Sequence, residues 1–323
     1  LVELRQPPGR GRSRALRGLA RELRWLPFGL PRAARAAGVE VLHCPGPLGP
    51  PRRIGVPTVV TINDVMALHH PAWFTRANVV HARLVVRRLV EAAAIVLTPS
   101  QFSRGQISEA WDVAPERIHV TPYGLDERFA PGPVDEALLQ RLGIRRPYAL
   151  TVGKLQPRKN IEAAIRTFDA LGADRLALVI AGARGWHDEA LLGLVDASAA
   201  RERIHLTGNV ADDDLVGLYR GAACFAFPSR GEGFGFPPLE AMACGTPVVC
   251  SDAGSLPEVV GDAALTFDPE DSAALGAALA RALEPATAAD LRARGLARAA
   301  TFTWKRCAHA TIAAYAAAVD QDC

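Results

Sequence analysis

Long apolar runs are missing from this chain of 323 residues. The strongest, LALVIAGA at 176–183, falls far short of the roughly 20 residues that span a bilayer, so no membrane-crossing helix is expected. The Arg-rich first residues lack the apolar segment of a secretory leader, and none is expected there. Cysteine is unpatterned: Cys44, Cys224, Cys244, Cys250, Cys307 and Cys323 form no C-x-x-C pair and no metal-like spacing. That excludes a disulfide scaffold and predicts buried or incidental thiols in a reducing, cytoplasmic compartment. Aromatic residues make up only 6% and none interleave with the arginines, so nucleic acid is not an expected partner. Lysine is nearly absent as well. Of 37 basic residues 34 are arginine, and two of the three lysines, Lys154 and Lys159, lie five residues apart in one Gly-containing loop. Two compact ammonium groups, in a chain that otherwise uses arginine, mark that loop as a candidate site.

What is present is ordinary for a soluble globular protein: 49% hydrophobic and 22% charged residues, in a chain too long for one comfortable core. The net charge of +3 conceals an asymmetry. Residues 1–90 hold 15 arginines and four acidic residues, a balance of +11, against −8 for the remainder. The first part of the chain is expected to face an anionic partner, such as an acidic membrane surface or a phosphorylated acceptor; a solvated basic face is the plain alternative.

Residues 14–38 alternate arginine with Leu, Ala and Trp and predict one or two amphipathic helices. Strands are expected at 39–43, 57–62, 94–98 and 118–121, with helices at 75–92 and 101–110. Pro and Gly at 131–133 and Gly143 mark 130–146 as a linker region. A second alternation follows, with strands at 148–152, 176–181, 204–207, 223–227 and 247–250. Its helices are expected at 161–171, 188–199, 212–221 and 238–244, then from 272 onward. Apolar, unbroken strands alternating with helices argue an α/β fold: two Rossmann-like domains, each with a parallel sheet covered on both faces, and a central cleft. The expected division is 1–130, a linker at 131–146, 147–302, and a terminal helix at 303–323 packing back toward the first domain.

Two loops carry candidate chemistry. In V-G-K-L-Q-P-R-K-N, Gly153 permits a tight turn, Lys154, Arg158 and Lys159 gather positive charge at a helix start, and Asn160 is suited to cap that helix. Such a loop suits phosphate. In P-S-R-G-E-G-F-G-F-P-P-L-E-A-M-A-C-G-T-P-V-V, glycines let the backbone approach a ligand. The amides of Phe234, Gly235 and Phe236 would then face an oxygen-rich group, with Pro237 and Pro238 opening the helix. Glu232 and Glu240, eight residues apart, suggest a polyol ligand, because a carboxylate accepts hydrogen bonds from hydroxyls.

At these loops the chain resembles the retaining family 4 (group 1) glycosyltransferases of the GT-B fold, in particular the bacterial mannosyl- and rhamnosyltransferase-like members that build surface polysaccharides. The E-x7-E pair is matched by Glu232 and Glu240 within EGFGFPPLEAMACGTPVV. The likeness continues through SDAGSLPEVVGDAAL, where Glu258 takes the usual position, and through HLTGNV, TIND, LHHPAWF and TPYGLDERF. It implies transfer of a hexose from a nucleotide diphosphate sugar to a hydroxyl of a glycan or lipid-linked acceptor. The implied setting is the cytoplasm, at the inner face of the membrane, with no cofactor and no metal. Glu232 would meet the donor sugar and Glu240 the ribose. Lys154, standing where many members have Arg, and Lys159 would hold the diphosphate, and Val210 would border the nucleobase.

Two departures are visible. Asn63 precedes Asp64 where members usually have His-Asp, and Asn cannot take up a proton. The family's first strand and Gly-rich loop also have no counterpart, as if Leu1 began some tens of residues into the pattern, leaving the first domain incomplete. These departures support a second reading, a GT-B protein that binds nucleotide-sugar without turnover. Sugar-nucleotide epimerisation or phosphorolysis on the same fold is opposed by the E-x7-E block, and glycoside hydrolysis would leave the lysines without an anion. Asp212-Asp213-Asp214 is read as acids that cap a helix start and complement its dipole rather than as a metal motif, and His69-His70 and His187-Asp188-Glu189 as polar loop residues.

Overall fold

The computed structural model describes residues 2–3, 21–171, 176–185 and 189–320. The chain divides into two compact units, Leu1–Pro122 with Lys305–Cys323, and Tyr123–Trp304.

The first unit is built on a parallel sheet of β1 (Leu42–Cys44), β2 (Thr58–Thr61), β3 (Ile95–Thr98) and β4 (Ile118–Val120), in that spatial order. Alternate residues feed opposite faces, as the two-residue strand period requires. Val60 and Val96 face a core with Leu26, Leu30, Leu89, Val90, Ile107 and Trp111 from the flanking helices. Val59, Ile95 and Leu97 face Ala314 and Ala318 of the last helix, Trp304–Asp320. Small alanines let that helix lie close on the sheet. His43 ties it down, with Nδ1 2.7 Å from the Tyr315 hydroxyl and Nε2 2.9 Å from Thr61 Oγ1.

β1 starts three residues later than expected, at Leu42. Gly38 turns the chain at φ +61°, and the Gly38 and Val39 amides bond back to Arg35 and Ala34, so the helix end uses groups a strand would need. The expected helix over 75–92 is present in three pieces, with a π-helical stretch at Ala82–Val86. Of the segment 14–38, Arg21–Gly29 is π-helical and Leu30–Ala36 α-helical, and 14–20 lies outside the described residues.

The second unit carries six parallel strands: β5 (Tyr148–Val152), β6 (Ala177–Ala181), β7 (Ile204–Gly208), β8 (Cys224–Phe227), β9 (Val248–Ser251) and β10 (Leu265–Phe267). Their spatial order is β10-β9-β8-β5-β6-β7. Both faces are buried. Tyr148, Leu150, Val179, Phe225, Phe227 and Val248 face one core, while Ala149, Leu178, Ile180, Ala226 and Val249 face another. β10 escaped the sequence reading because three residues are too few to show a period. The segment read as a linker, 131–146, contains the helix Glu136–Arg141, whose Leu138 and Leu139 are buried in the second unit. The division of the chain falls earlier, at Pro122.

The described cysteines, Cys44, Cys224, Cys244, Cys250 and Cys307, are buried free thiols, and burial pushes the pKa of Cys224 and Cys250 up to about 12. Cys323 lies outside the described residues, as do His187 and Asp188. Among the described residues, no helix is long and apolar enough to cross a membrane.

Candidate active site

Strand order locates the site. From β5 the chain winds outward through β6 and β7, then returns to the other side of β5 for β8, β9 and β10. The direction of winding therefore switches between β5 and β8, and ligands of such sheets bind beyond the carboxyl ends of the strands at the switch. The two loops leaving β5 and β8 are 153–160 and 228–235, the loops that carry the lysines and the first glutamate.

The fold brings three of the expected residues together across 73 and 74 positions of chain. Glu232 accepts a hydrogen bond from Arg158 Nη1 at 2.6 Å, from Lys159 Nζ at 2.7 Å and from Ser229 Oγ at 2.6 Å. Arg158 Nη1 also donates to the Gly231 carbonyl at 2.7 Å, and Lys159 Nζ lies 4.8 Å from the centre of the Phe227 ring. Glu232 is 7% exposed. Burial alone would raise its pKa, but the Lys159 and Arg158 charges and the bonds from Lys159 and Ser229 outweigh it. They hold the carboxyl below its ordinary value and ionised at neutral pH. An ionised carboxylate is an acceptor only, which is the state that receives hydrogen bonds from hydroxyls.

Glycines and serines hold these loops. Gly153 and Leu155 donate backbone bonds to Ala181 and Ala183, and Gly182 donates to Gly208, so the loops after β5, β6 and β7 lie backbone to backbone. A Cβ on Gly182 would stand 2.0 Å from the Gly153 carbonyl oxygen, and one on Gly185 would stand 1.9 Å from that of Leu155. At φ +68° Gly254 passes the backbone of Glu232, where a Cβ would meet its N and O at 2.7 Å. Ser255 then donates its hydroxyl to the Glu232 and Phe234 carbonyls, at 2.9 and 2.6 Å.

Glu240 lies on the helix Phe236–Ala243 and accepts a 2.8 Å bond from the Tyr219 hydroxyl. Burial pushes its pKa up; the Tyr219 bond opposes this, the Asp212 charge adds to it, and the result is about 7. Tyr219 is fully buried, which raises its own pKa well above the ordinary value and keeps it a neutral donor.

The remaining expected residues are placed as follows. Lys154 is exposed on the loop after Gly153, which follows β5. Gly235 is the N-cap residue of the helix Phe236–Ala243. Phe234 and Phe236 have side chains in an aromatic cluster with Tyr123, at ring separations of 5.4 and 5.5 Å. Val210 is half-buried against the core of the second unit. Asn63 belongs to the first unit, exposed just beyond β2, with its carbonyl accepting from Ser103 Oγ at 2.9 Å. Glu258 is exposed on the helix Leu256–Val260.

Two local expectations change. Asn160 takes the left-handed conformation at φ +50° and sends its amide to the Pro269 carbonyl at 2.9 Å; its backbone carbonyl, rather than its side chain, meets the Ala163 amide. Asp212, Asp213 and Asp214 occupy the first turn of the helix Asp212–Gly221 but form no side-chain cap. Asp212 and Asp214 instead meet Arg128 and Arg141, at 3.2 and 2.8 Å. Among the described residues, no group of three His, Cys, Asp or Glu side chains is placed to hold a metal ion. His70 stacks on Trp73 at 4.0 Å.

Ser229, Ser255 and Tyr219 were missed at the level of sequence. The first two had a usable signal, since each is a small hydroxyl beside a glycine or a strand end in a loop already singled out. Tyr219 had none, because a tyrosine inside a helix reads as core.

Comparison with known proteins matches the sequence to a family. Residues 135–297 match the family described as glycosyl transferases group 1, and residues 2–129 match glycosyltransferase family 4. The O-antigen chain mannosyltransferase B of Escherichia coli is 37% identical over 264 residues, covering 80% of this chain and 69% of that protein. The serotype-specific mannosyltransferase WbdA of Escherichia coli is 33% identical over 234 residues, 69% of this chain but 28% of its own length. Among solved structures, sucrose-phosphate synthase of Thermosynechococcus elongatus superposes with a TM-score of 0.72 at 23% identity, covering 88% of this chain and 75% of that one. Anabaena HepE in complex with UDP-glucose gives 0.69 at 22% identity, covering 80% and 72%. These two share the fold. With a family match over each half of the sequence and a relative 37% identical across most of it, the chain belongs to the group 1 glycosyltransferases, enzymes built on the two Rossmann-like units of the GT-B fold.

Proposed function

We propose that this enzyme moves a hexose, mannose by its likeness to the two Escherichia coli mannosyltransferases, from a nucleotide diphosphate sugar to a hydroxyl of a glycan or lipid-linked acceptor, with retention of anomeric configuration. The observation that carries the reading is the ionised Glu232 clasped by Arg158 and Lys159 at the switch point of the second sheet. In this reading Glu232 accepts hydrogen bonds from the donor sugar and fixes the ring for attack. Glu240, eight residues on, accepts from the ribose hydroxyls, and Val210 borders the base. The bond from the acceptor oxygen to the anomeric carbon forms on the face from which the diphosphate leaves. The departing phosphate oxygen takes the acceptor proton, so no separate base is needed. Negative charge grows on that oxygen, and Lys154, Lys159, Arg158 and the amides of Phe234, Gly235 and Phe236 stabilise it more in the transition state than in the ground state. With three cations in those roles, a divalent ion is not required for departure of the diphosphate. Anabaena HepE, solved with UDP-glucose, supports a nucleotide-sugar donor for the shared fold.

Contact with an anionic membrane surface at the cytoplasmic face belongs to the same reading. It is supported by the +11 balance of residues 1–90 and by one helical stripe where exposed Val80 and Leu84 sit among Arg76, Arg83, Arg87 and Arg88.

Thermal unfolding with GDP, UDP, dTDP and ADP, each with and without magnesium, tests the donor site. A nucleotide present well above its Kd raises Tm by linkage. The expected result is a rise with one base, independent of magnesium and abolished by Lys159→Ala. No rise with any of the four would overturn the donor assignment.

A further inference from the structure

A second concentration of positive charge lies in the first unit. Pro27 and Phe28, near the end of the π-helical segment, Arg32 and Arg35 of the next helix, and Arg52 and Arg53 ahead of β2 line a cavity of about 300 Å³. Its position is unusual for this fold. Arg35 closes a helix that leads into β1, and Arg52 and Arg53 precede β2, so the cavity lies at the amino edge of the sheet. Ligands of parallel sheets occupy the carboxyl edge.

The four arginines are exposed, and an anion between them relieves a mutual repulsion that water and salt only partly screen. No carboxylate lines the cavity, and among the described residues none of the four arginines forms an ion pair. A fifth cation adds to the field. Arg117 is held by the carbonyls of Val90, Ala93 and Ala94, and after burial the charge of Arg53 is what lowers its pKa. Two of the four lining side chains are already held in place. Arg35 Nη1 donates to the Ile54 carbonyl at 3.0 Å, and Arg52 lies over the Phe28 ring at 5.3 Å. Pro27 and Pro31 stiffen the wall beside Phe28, so the two held arginines lose little freedom on binding. Planar guanidinium forks match tetrahedral oxyanions in two-point contacts, and the cavity has room for more than one phosphate group.

We infer that this cavity is a binding site for a multiply charged phosphate group, separate from the donor site of the second unit. Two sources share that chemistry, the headgroup of an anionic lipid and a soluble phosphorylated compound.

Calorimetric titration of the full chain with inorganic pyrophosphate tests the site, in a Lys154→Ala/Lys159→Ala background that removes the proposed diphosphate contacts of the second unit. The expected result is retained pyrophosphate binding that weakens by about tenfold or more when Arg52→Ala and Arg53→Ala are added. A charge-matched control, Arg166→Ala/Arg281→Ala, substitutes exposed arginines of the second unit and should change nothing. Binding that ignores Arg52 and Arg53, or that falls equally in the control, overturns the inference. The nucleotide-dependent rise in Tm of the Arg52→Ala/Arg53→Ala chain should stay intact, which separates failure here from failure of the donor site. Sedimentation with phosphatidylglycerol-containing and pure phosphatidylcholine vesicles then identifies the source. Capture by the anionic vesicles that needs Arg52 and Arg53 and is competed by pyrophosphate assigns the lipid headgroup. Pyrophosphate binding without capture assigns the soluble compound.

Discussion

A carboxylate that is 7% exposed needs partners, and Glu232 takes three, two of them cations that are themselves largely buried. Removing it strands Arg158 and Lys159. Loss of one member of a buried pair costs about 3–5 kcal/mol, so Glu232→Ala should lower Tm as well as activity. Glu232→Gln keeps the shape and one accepting oxygen for the two cations, so it should lower Tm less than Glu232→Ala. Its turnover should fall by about a hundred- to a thousandfold, the scale of losing one preorganised polar partner. Near-normal turnover in a stable Glu232→Gln enzyme would end the assignment. Glu240 behaves differently, because its pKa is raised from 4.5 to about 7. The folded state then holds a proton that the unfolded state has lost, so stability falls as pH rises from about 4.5 to about 7. Under the proposed function nucleotide binding should run the other way: if ribose hydroxyls donate to the ionised form, affinity rises with pH through about 7 and loses that dependence in Glu240→Gln. Titrations at several pH values measure it.

Strands and loops carry the next layer. Backbones after β5, β6 and β7 approach too closely for side chains, with Gly182 and Gly185 at the two tightest points. A Gly182→Ala chain must move the Gly153 turn, and with it the start of the loop that bears Lys154 and Lys159. We expect a lower Tm and loss of the nucleotide-dependent rise, whereas Gly193→Ala, with open space around it, should leave both intact. Much at this scale was legible in the chain. The runs at 148–152, 161–171 and 212–221 match the observed elements residue for residue, because unbroken apolar strands and amphipathic helices carry their own period. Short elements were not legible: β10 and the helix Glu136–Arg141 have too few residues to declare a period, and packing against neighbours stabilises them.

Over the whole molecule, the chain returns to where it began. Trp304–Asp320 leaves the second unit and covers one face of the first sheet, with Ala314 and Ala318 fully buried on Val59, Ile95 and Leu97. Those strand residues would otherwise be apolar and exposed. Ala314→Glu places a carboxylate in that contact at a cost of several kcal/mol, so the first unit should unfold at a lower temperature in a thermal scan. The nucleotide-dependent stabilisation carried by the second unit should persist, and its loss would show that the helix also supports the donor site. Eight of the fifteen arginines of residues 1–90 lie in one helical stripe and a four-arginine cavity.

Local pattern was enough to establish two α/β units, the order of their main elements, and the loops with Lys159, Glu232 and Glu240. Apolar periodicity, glycine placement and charge are written in neighbouring residues. Tertiary structure alone decided which groups meet. The clasp of Glu232 by residues 73 and 74 positions away, the Tyr219 bond to Glu240 and the Asn160 bond to Pro269 all depend on the order in which crossovers stack the strands. So does the arginine cavity, whose lining comes from segments either side of β1. That stacking is set by packing between segments distant in the chain, and no local period records it.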